Sequence, residues 1–247
     1  MTDSVSDSIS AYMPVYRTPR AVFEALKSFR TFYRTEPITV VSDNGDDFTK
    51  ICAALDARYI HADKRLVIGP EDVRTSTQST LEGIKEGLGR LHRHCISTDS
   101  DWVIWLEADV RTIRPIRSFP ATDAAGNRMN PFSPELTDYL VRNFGDRPYG
   151  YGMAGGSIFR RLAFIDAYES VDIADYVKYD ERIAVYGDIP FTLMFLVSGY
   201  TYSEWDEISE IFHPVAPIIR DAAFDHAYKY WYDKGFDEKL LEEFTLP

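Results

Sequence analysis

Trp102, Val103, Ile104, Trp105 and Leu106 stand in unbroken sequence, and two carboxylates, Glu107 and Asp109, follow at once. Five apolar residues are too few for a helix and too uniformly apolar for a strand with one wet face. The run therefore reads as a strand buried on both sides, and such a strand needs helices above and below its sheet. The preceding chain supplies them by alternation. "ISAYMPVY" is an apolar, aromatic-rich strand. "PRAVFEALKSFRTFY" carries Val22, Phe23, Leu26, Phe29 and Phe32 at helical spacing, with Pro19 at the start, where a missing N–H does no harm. "PITVVSDNG" is a buried strand closed by a turn cluster. "DDFTKICAALDA" is a helix with Asp46 or Asp47 as its cap, and "RYIHAD" is a short third strand. "TSTQSTLEGIKEGLGRLHRHCI" makes a longer helix with Leu81, Ile84, Leu88 and Leu91 in register. This alternation implies right-handed βαβ units and a mostly parallel sheet.

From Arg117 to Pro148 the alternation stops. Pro120, Gly126, Pro131 and Pro134 mark loops around one short helix in "PELTDYLVRNF". Beyond it come "YGYGMAGGSIFRR", the helices "LAFIDAYES" and "IPFTLMFLVSG", and "SEWDEISEIFHP". The tail "DAAFDHAYKYWYDKGFDEKLLEEF" reads as aromatic helices packed on the body. The expectation is an α/β first half, an α+β second half over residues 117–213 and a helical tail over 214–247. Nothing in the text divides residues 1–247 into separate domains.

With 27 basic against 39 acidic side chains the net charge is −12, which argues against a nucleic-acid partner, since that needs basic charge to displace counterions. Cys52 and Cys95 lack metal-ligand spacing and read as buried thiols of a cytoplasmic protein. "MTDSVSDSIS" has neither the basic nor the apolar region of a secretory signal. The apolar core of "IPFTLMFLVSGYTYS" falls short of the about 20 residues a membrane span takes. A soluble protein is expected, its oligomeric state left open.

In parallel sheets ligands bind beyond the carboxyl ends of the strands, and "SDNG" and Glu107-Ala108-Asp109 both fall there. Carboxylates at i and i+2 of an extended chain point to one face. They either stand solvated at the surface or address one hard cation. Mg²⁺ and Mn²⁺ take such oxygen ligands, with phosphate oxygens completing the shell, and an ion so held neutralises a diphosphate leaving group. A core strand running straight into the pair favours the cation.

Over roughly Ser8 to His213 the chain resembles the GT-A glycosyltransferases, which use nucleotide sugars. "WLEADV" stands where that family carries its D-x-D metal motif, with Glu107 in place of the first acid. The resemblance implies a Rossmann-like, mostly parallel sheet flanked by helices. Residues 8–116 would form the nucleotide-sugar-binding half and residues 117–213 the acceptor-side half. It implies Mn²⁺ or Mg²⁺ on Glu107 and Asp109. The reaction would move a sugar from a nucleotide-diphosphate donor, with a UDP-sugar favoured, to an acceptor hydroxyl on a glycan or small molecule.

By the same match Pro14, Val15, Tyr16 and Arg17 line the nucleotide, Asp43 bonds the base or ribose, and Ala108 lies beside the donor. Arg74, helped by Ser76 and Gln78, grips phosphate or sugar oxygens, or else pairs with Glu71 or Asp72 on the surface. "YGYGMAGGSIFRR" resembles the family's glycine-rich acceptor segment. There Gly155 and Gly156 admit a sugar close to the backbone, and Tyr149 and Tyr151 stack on it. Asp188 matches the base of inverting members, unless it only caps its helix; Glu181 and Asp180 are rivals. His213 in "IFHP" stands as a late-histidine metal ligand or as a structural residue.

His61, His92, His94 and His226 show no ligand spacing, and His92 and His94 read as dipole partners at a helix C-terminus. Two other functions share this plan. A sugar nucleotidyltransferase would need a glycine-rich first loop, which "AYMPVYRTPR" lacks. A non-catalytic nucleotide-sugar or glycan-binding module is the reading that the Glu107 replacement favours, although Glu ligates Mg²⁺ and Mn²⁺ well.

Overall fold

The structure, a computed structural model, describes residues 7–66, 77–127, 134–146, 155–177, 188–210, 221–226 and 229–242. Four strands form on the apolar runs of the first half: β1 (Ile9–Val15), β2 (Ile38–Ser42), β3 (Arg58–His61) and β4 (Trp102–Trp105). Between them lie α1 (Pro19–Phe32), α2 (Thr49–Ala54) and α3 (Thr77–Ile96). After β4 come β5 (Arg111–Thr112), β6 (Ala124–Gly126), α4 (Pro134–Phe144), β7 (Ile158–Arg160) and α5 (Arg161–Ser170). The second half closes with α6 (Ala174–Val177), α7 (Asp188–Val197), β8 (Tyr202–Glu204), β9 (Ile208–Glu210), β10 (Phe224–His226) and α8 (Lys239–Glu242).

Seven strands make one sheet in the order β3-β2-β1-β4-β7-β6-β8. β1 to β4 are parallel where they pair, β7 runs antiparallel to β4 and β6, and β8 is parallel to β6. The uniform apolarity of β4 has a direct cause. Trp102 and Ile104 pack into a core with α1 and α2, while Val103 and Trp105 pack on the other face with α3, α5 and α7. The expected cap of α2 by Asp46 or Asp47 is not formed: Phe48 holds the N-cap position with no side-chain hydrogen bond, and Asp47, one residue earlier, accepts the Thr49 N–H on Oδ1 at 2.9 Å. Cys52 and Cys95 are buried and free. Among the described residues no helix is long and apolar enough to cross a membrane.

The tail departs from expectation. Only α8 and a 3₁₀ turn at Lys229–Trp231 are helical among its described residues, and Phe224–His226 forms a strand. Phe224 is fully buried there, completing a small sheet in the order β5-β10-β9. The aromatic spacing that mimics a helix serves the surface of α1 instead. Arg20 lies over the Trp231 ring at 4.6 Å, and Phe236 meets Phe23 at 5.7 Å.

His94 also corrects the sequence reading. It is no charged dipole partner but a buried ring, 2% exposed, linking α3 to β1 and β2 through Ser10 Oγ at 3.1 Å and Thr39 Oγ1 at 3.0 Å. Burial, helped by the nearby Arg58, pushes its pKa down to about 4. The folded state therefore refuses a proton that the unfolded chain takes near pH 6.5. Stability is full above that pH and falls as pH drops towards 4, by about 3 kcal/mol from this ring. Urea unfolding of wild type and His94→Asn at pH 7.5 and pH 4.5 checks this. The variant is expected to lose less on acidification, and an equal loss in both proteins sinks the assignment.

Candidate active site

The chain leaves β4 at Trp105 and turns, with the Val110 N–H donating to Glu107 O at 3.1 Å. Glu107 and Asp109 are thus gathered by a turn, not by an extended strand end. Ala108, at the centre of that turn, packs its methyl against the α1-side core. β5 follows immediately and pairs antiparallel with β10, Arg111 opposite Asp225 and Thr112 opposite Phe224. That register carries His226 to the carboxylates. Its Nε2 lies 3.3 Å from Glu107 Oε2 and 3.9 Å from Asp109 Oδ1, and one ligand atom from each residue fits within 4.8 Å. Sequence reasoning passed over His226, because 119 positions separate it from Glu107 and no local spacing links them. His213 lies outside the described residues.

The electrostatics of the cluster are those of an anion pair short of positive charge. Burial pushes the Glu107 carboxyl up, but hydrogen bonds from His226 and from the Trp105 indole N–H, 3.0 Å away, outweigh it and leave the group low. Asp109 is 5% exposed, and burial together with the Glu107 charge pushes it up to about 6. Lys229 Nζ stands 4.0 Å from Asp109 Oδ2, while Asp109 Oδ1 is buried with no hydrogen-bond partner among the described residues. The Tyr232 phenol is pushed up by its burial and by both carboxylates. An orphaned carboxylate oxygen facing a second carboxylate and an imidazole nitrogen is a donor set that fits a hard divalent ion.

Gly155 and Gly156 stand at this cluster. A Cβ on Gly155 would lie 2.3 Å from Val110 Cγ2 and 2.7 Å from His226 Cδ2, so bare backbone is what admits the imidazole. Gly156 adopts a φ of +90°, and its N–H donates to Trp105 O at 2.7 Å, prolonging the β4–β7 ladder. Tyr149, Tyr151, Asp180 and Glu181 lie outside the described residues. Asp188 opens α7, but its side chain is outside the description.

The nucleotide residues expected from sequence converge next door. Pro14, Val15, Tyr16 and Asp43 line a cavity of about 200 Å³, with Tyr12 and Trp105 in its wall. Arg17 lies over the Tyr16 ring at 4.8 Å. The loop after β2 closes tightly on the end of β1. The Asp46 N–H donates to Tyr16 O at 2.8 Å, and a Cβ on Gly45 would fall 1.4 Å from that same oxygen. Asp43 Oδ1 accepts the Leu66 N–H at 2.6 Å and Arg90 Nη1 at 2.9 Å. Arg90 went unnoticed in the sequence as one more charge on α3. Arg74 and Ser76, and the side chain of Gln78, lie outside the described residues.

This strand order, with carboxylates at the β4 edge and a cavity at the ends of β1 and β2, is the GT-A glycosyltransferase fold. Among solved structures the chain is similar to the galactosyltransferase LgtC, crystallised with donor and acceptor sugar analogues. The TM-score is 0.54 at 14% identity, covering 95% of this chain and 94% of that one. It is also similar to the glycosyltransferase GlyE of Streptococcus pneumoniae TIGR4, with a TM-score of 0.50 at 12% identity. That match covers 96% of this chain but 60% of that one. Identities this low speak to the fold alone. The sequence matches no protein-family model and no curated protein.

Proposed function

We propose that this chain is a metal-dependent glycosyltransferase, moving a sugar from a UDP-sugar to an acceptor hydroxyl on a glycan or small molecule. The observation that carries the reading is the orphaned, buried Asp109 Oδ1 beside Glu107 and His226. These three residues would hold Mn²⁺ or Mg²⁺. When bound, the ion supplies positive charge to the departing diphosphate. Lys229, at the open side of Asp109, offers a second cation to a phosphate oxygen.

Asp43 can accept a uracil N–H or a ribose hydroxyl. Its Oδ1 is taken by Leu66 and Arg90, which among the described residues leaves Oδ2 as the remaining acceptor. Uracil presents one N–H between two carbonyls and matches it. Guanine presents two adjacent donors, which call for both carboxylate oxygens. Gly155 and Gly156, expected to admit a sugar, are instead packed against Val110, His226, Phe224 and Ile208 and shape the cation site in this reading, while Asp188 acts as general base for an inverting transfer.

The experiment is nucleotide release from UDP-, GDP- and CDP-sugars with and without Mn²⁺, over a panel of acceptors. Mn²⁺-dependent UDP release is expected. Pyrophosphate release from a nucleoside triphosphate and a sugar phosphate would mark a nucleotidyltransferase instead. Asp188→Asn tests the base: the amide keeps the shape and any first-turn hydrogen bond but takes no proton. Donor affinity is expected to stay near wild type while kcat falls by about 10²–10⁴-fold. Turnover close to wild type would pass the role to Glu181 or Asp180.

A further inference from the structure

The metal reading gives no role to the contact between His226 and Asn127. Asn127, the residue after β6, is 8% exposed and places its amide 3.1 Å from His226 Nδ1. On another side of the ring Gly155 leaves only enough room for Cδ2. The imidazole is held between these two, and its Nε2 aims at Glu107 and Asp109. We infer that Asn127 is the positioning residue of this imidazole, holding the ring so that Nε2 turns a lone pair towards the cation site. The inference rests on the metal reading above.

The chemistry follows from the two ring nitrogens. A neutral imidazole carries one N–H, so an Nε2 that ligates requires a protonated Nδ1, and a buried N–H requires an acceptor. The amide of Asn127 has both kinds of group on one rotatable end. Its Nδ2 donates to Nδ1 when Nε2–H bonds Glu107. Its Oδ1 accepts Nδ1–H when Nε2 is a ligand. An aspartate in this place serves the liganded state, and an alanine serves neither. Outer partners of ligating histidines typically contribute 10–100-fold to metal affinity.

The test is Mn²⁺ titration, followed by electron paramagnetic resonance in the presence of UDP, of wild type, Asn127→Ala and Asn127→Asp. UDP affinity without metal and the thermal midpoint are measured alongside. N127A is expected to bind Mn²⁺ about 10–100-fold more weakly, with metal-free UDP affinity unchanged, and N127D to return within a few-fold of wild type. N127A binding Mn²⁺ like wild type overturns the inference, and so does N127D as weak as N127A, which marks a merely structural residue. Wild type that binds no Mn²⁺ overturns the metal reading and this inference with it. Should N127A fail to fold, Asn127→Ser, too short to reach Nδ1, replaces it with the same expected loss.

Discussion

Asp109→Asn is expected to abolish Mn²⁺-dependent UDP binding while making the metal-free protein more stable. The carboxylate is 5% exposed, its Oδ1 has no hydrogen-bond partner among the described residues, and the Glu107 charge stands beside it. An amide has the same shape without the charge. Losing a direct ligand costs more than losing an outer partner, so Mn²⁺ affinity should fall by more than about 100-fold. Removing a buried charge next to a like charge should stabilise the apo protein by on the order of 1–2 kcal/mol. The two effects have opposite signs, which separates loss of a ligand from general damage. Glu107→Gln should be milder, since its amide oxygen still accepts the Trp105 N–H. Calorimetric titration of UDP with and without Mn²⁺, beside thermal unfolding, reads both. Unchanged Mn²⁺ dependence in both variants removes the metal site.

Gly155→Ala should break the same site without touching a ligand. The added methyl would lie 2.3 Å from Val110 Cγ2 and 2.7 Å from His226 Cδ2, closer than packed atoms tolerate. Val110 is nearly fully buried, so the strain should fall on the imidazole. Overpacking of this kind costs about 1–3 kcal/mol. Mn²⁺ affinity should drop by at least about 10-fold as Nε2 swings off the carboxylates. The cavity at the ends of β1 and β2, the proposed nucleoside site, does not include Gly155, so metal-free UDP binding should persist. A variant that keeps wild-type Mn²⁺ affinity would show that His226 does not belong to the site.

The strands β1 to β4 and the helices α1 to α3 were legible because their signals are local. A strand such as Trp102–Trp105, buried on both faces, must be apolar at every position. A helix such as α1 must repeat its apolar residues with its own turn. Pro14, Val15, Tyr16 and Asp43 were picked out by the family resemblance, and one cavity gathers the four. Glu107 and Asp109 announced themselves as charges ending a core strand.

His226, Asn127 and Arg90 carried no such signal. His226 reaches the carboxylates through two opposed residue pairs between β5 and β10, where a slip of one residue would turn its ring to the other face. Asn127 reaches it because β7 reverses direction and brings β6 two strands from β4. The tail's aromatic spacing suggested helices, yet burying Phe224 in the small sheet prevailed over local preference. Local periodicity states which face of an element is buried. Which distant segment covers that face is decided by the packing of the whole chain, and the third member of the carboxylate cluster depends on that choice.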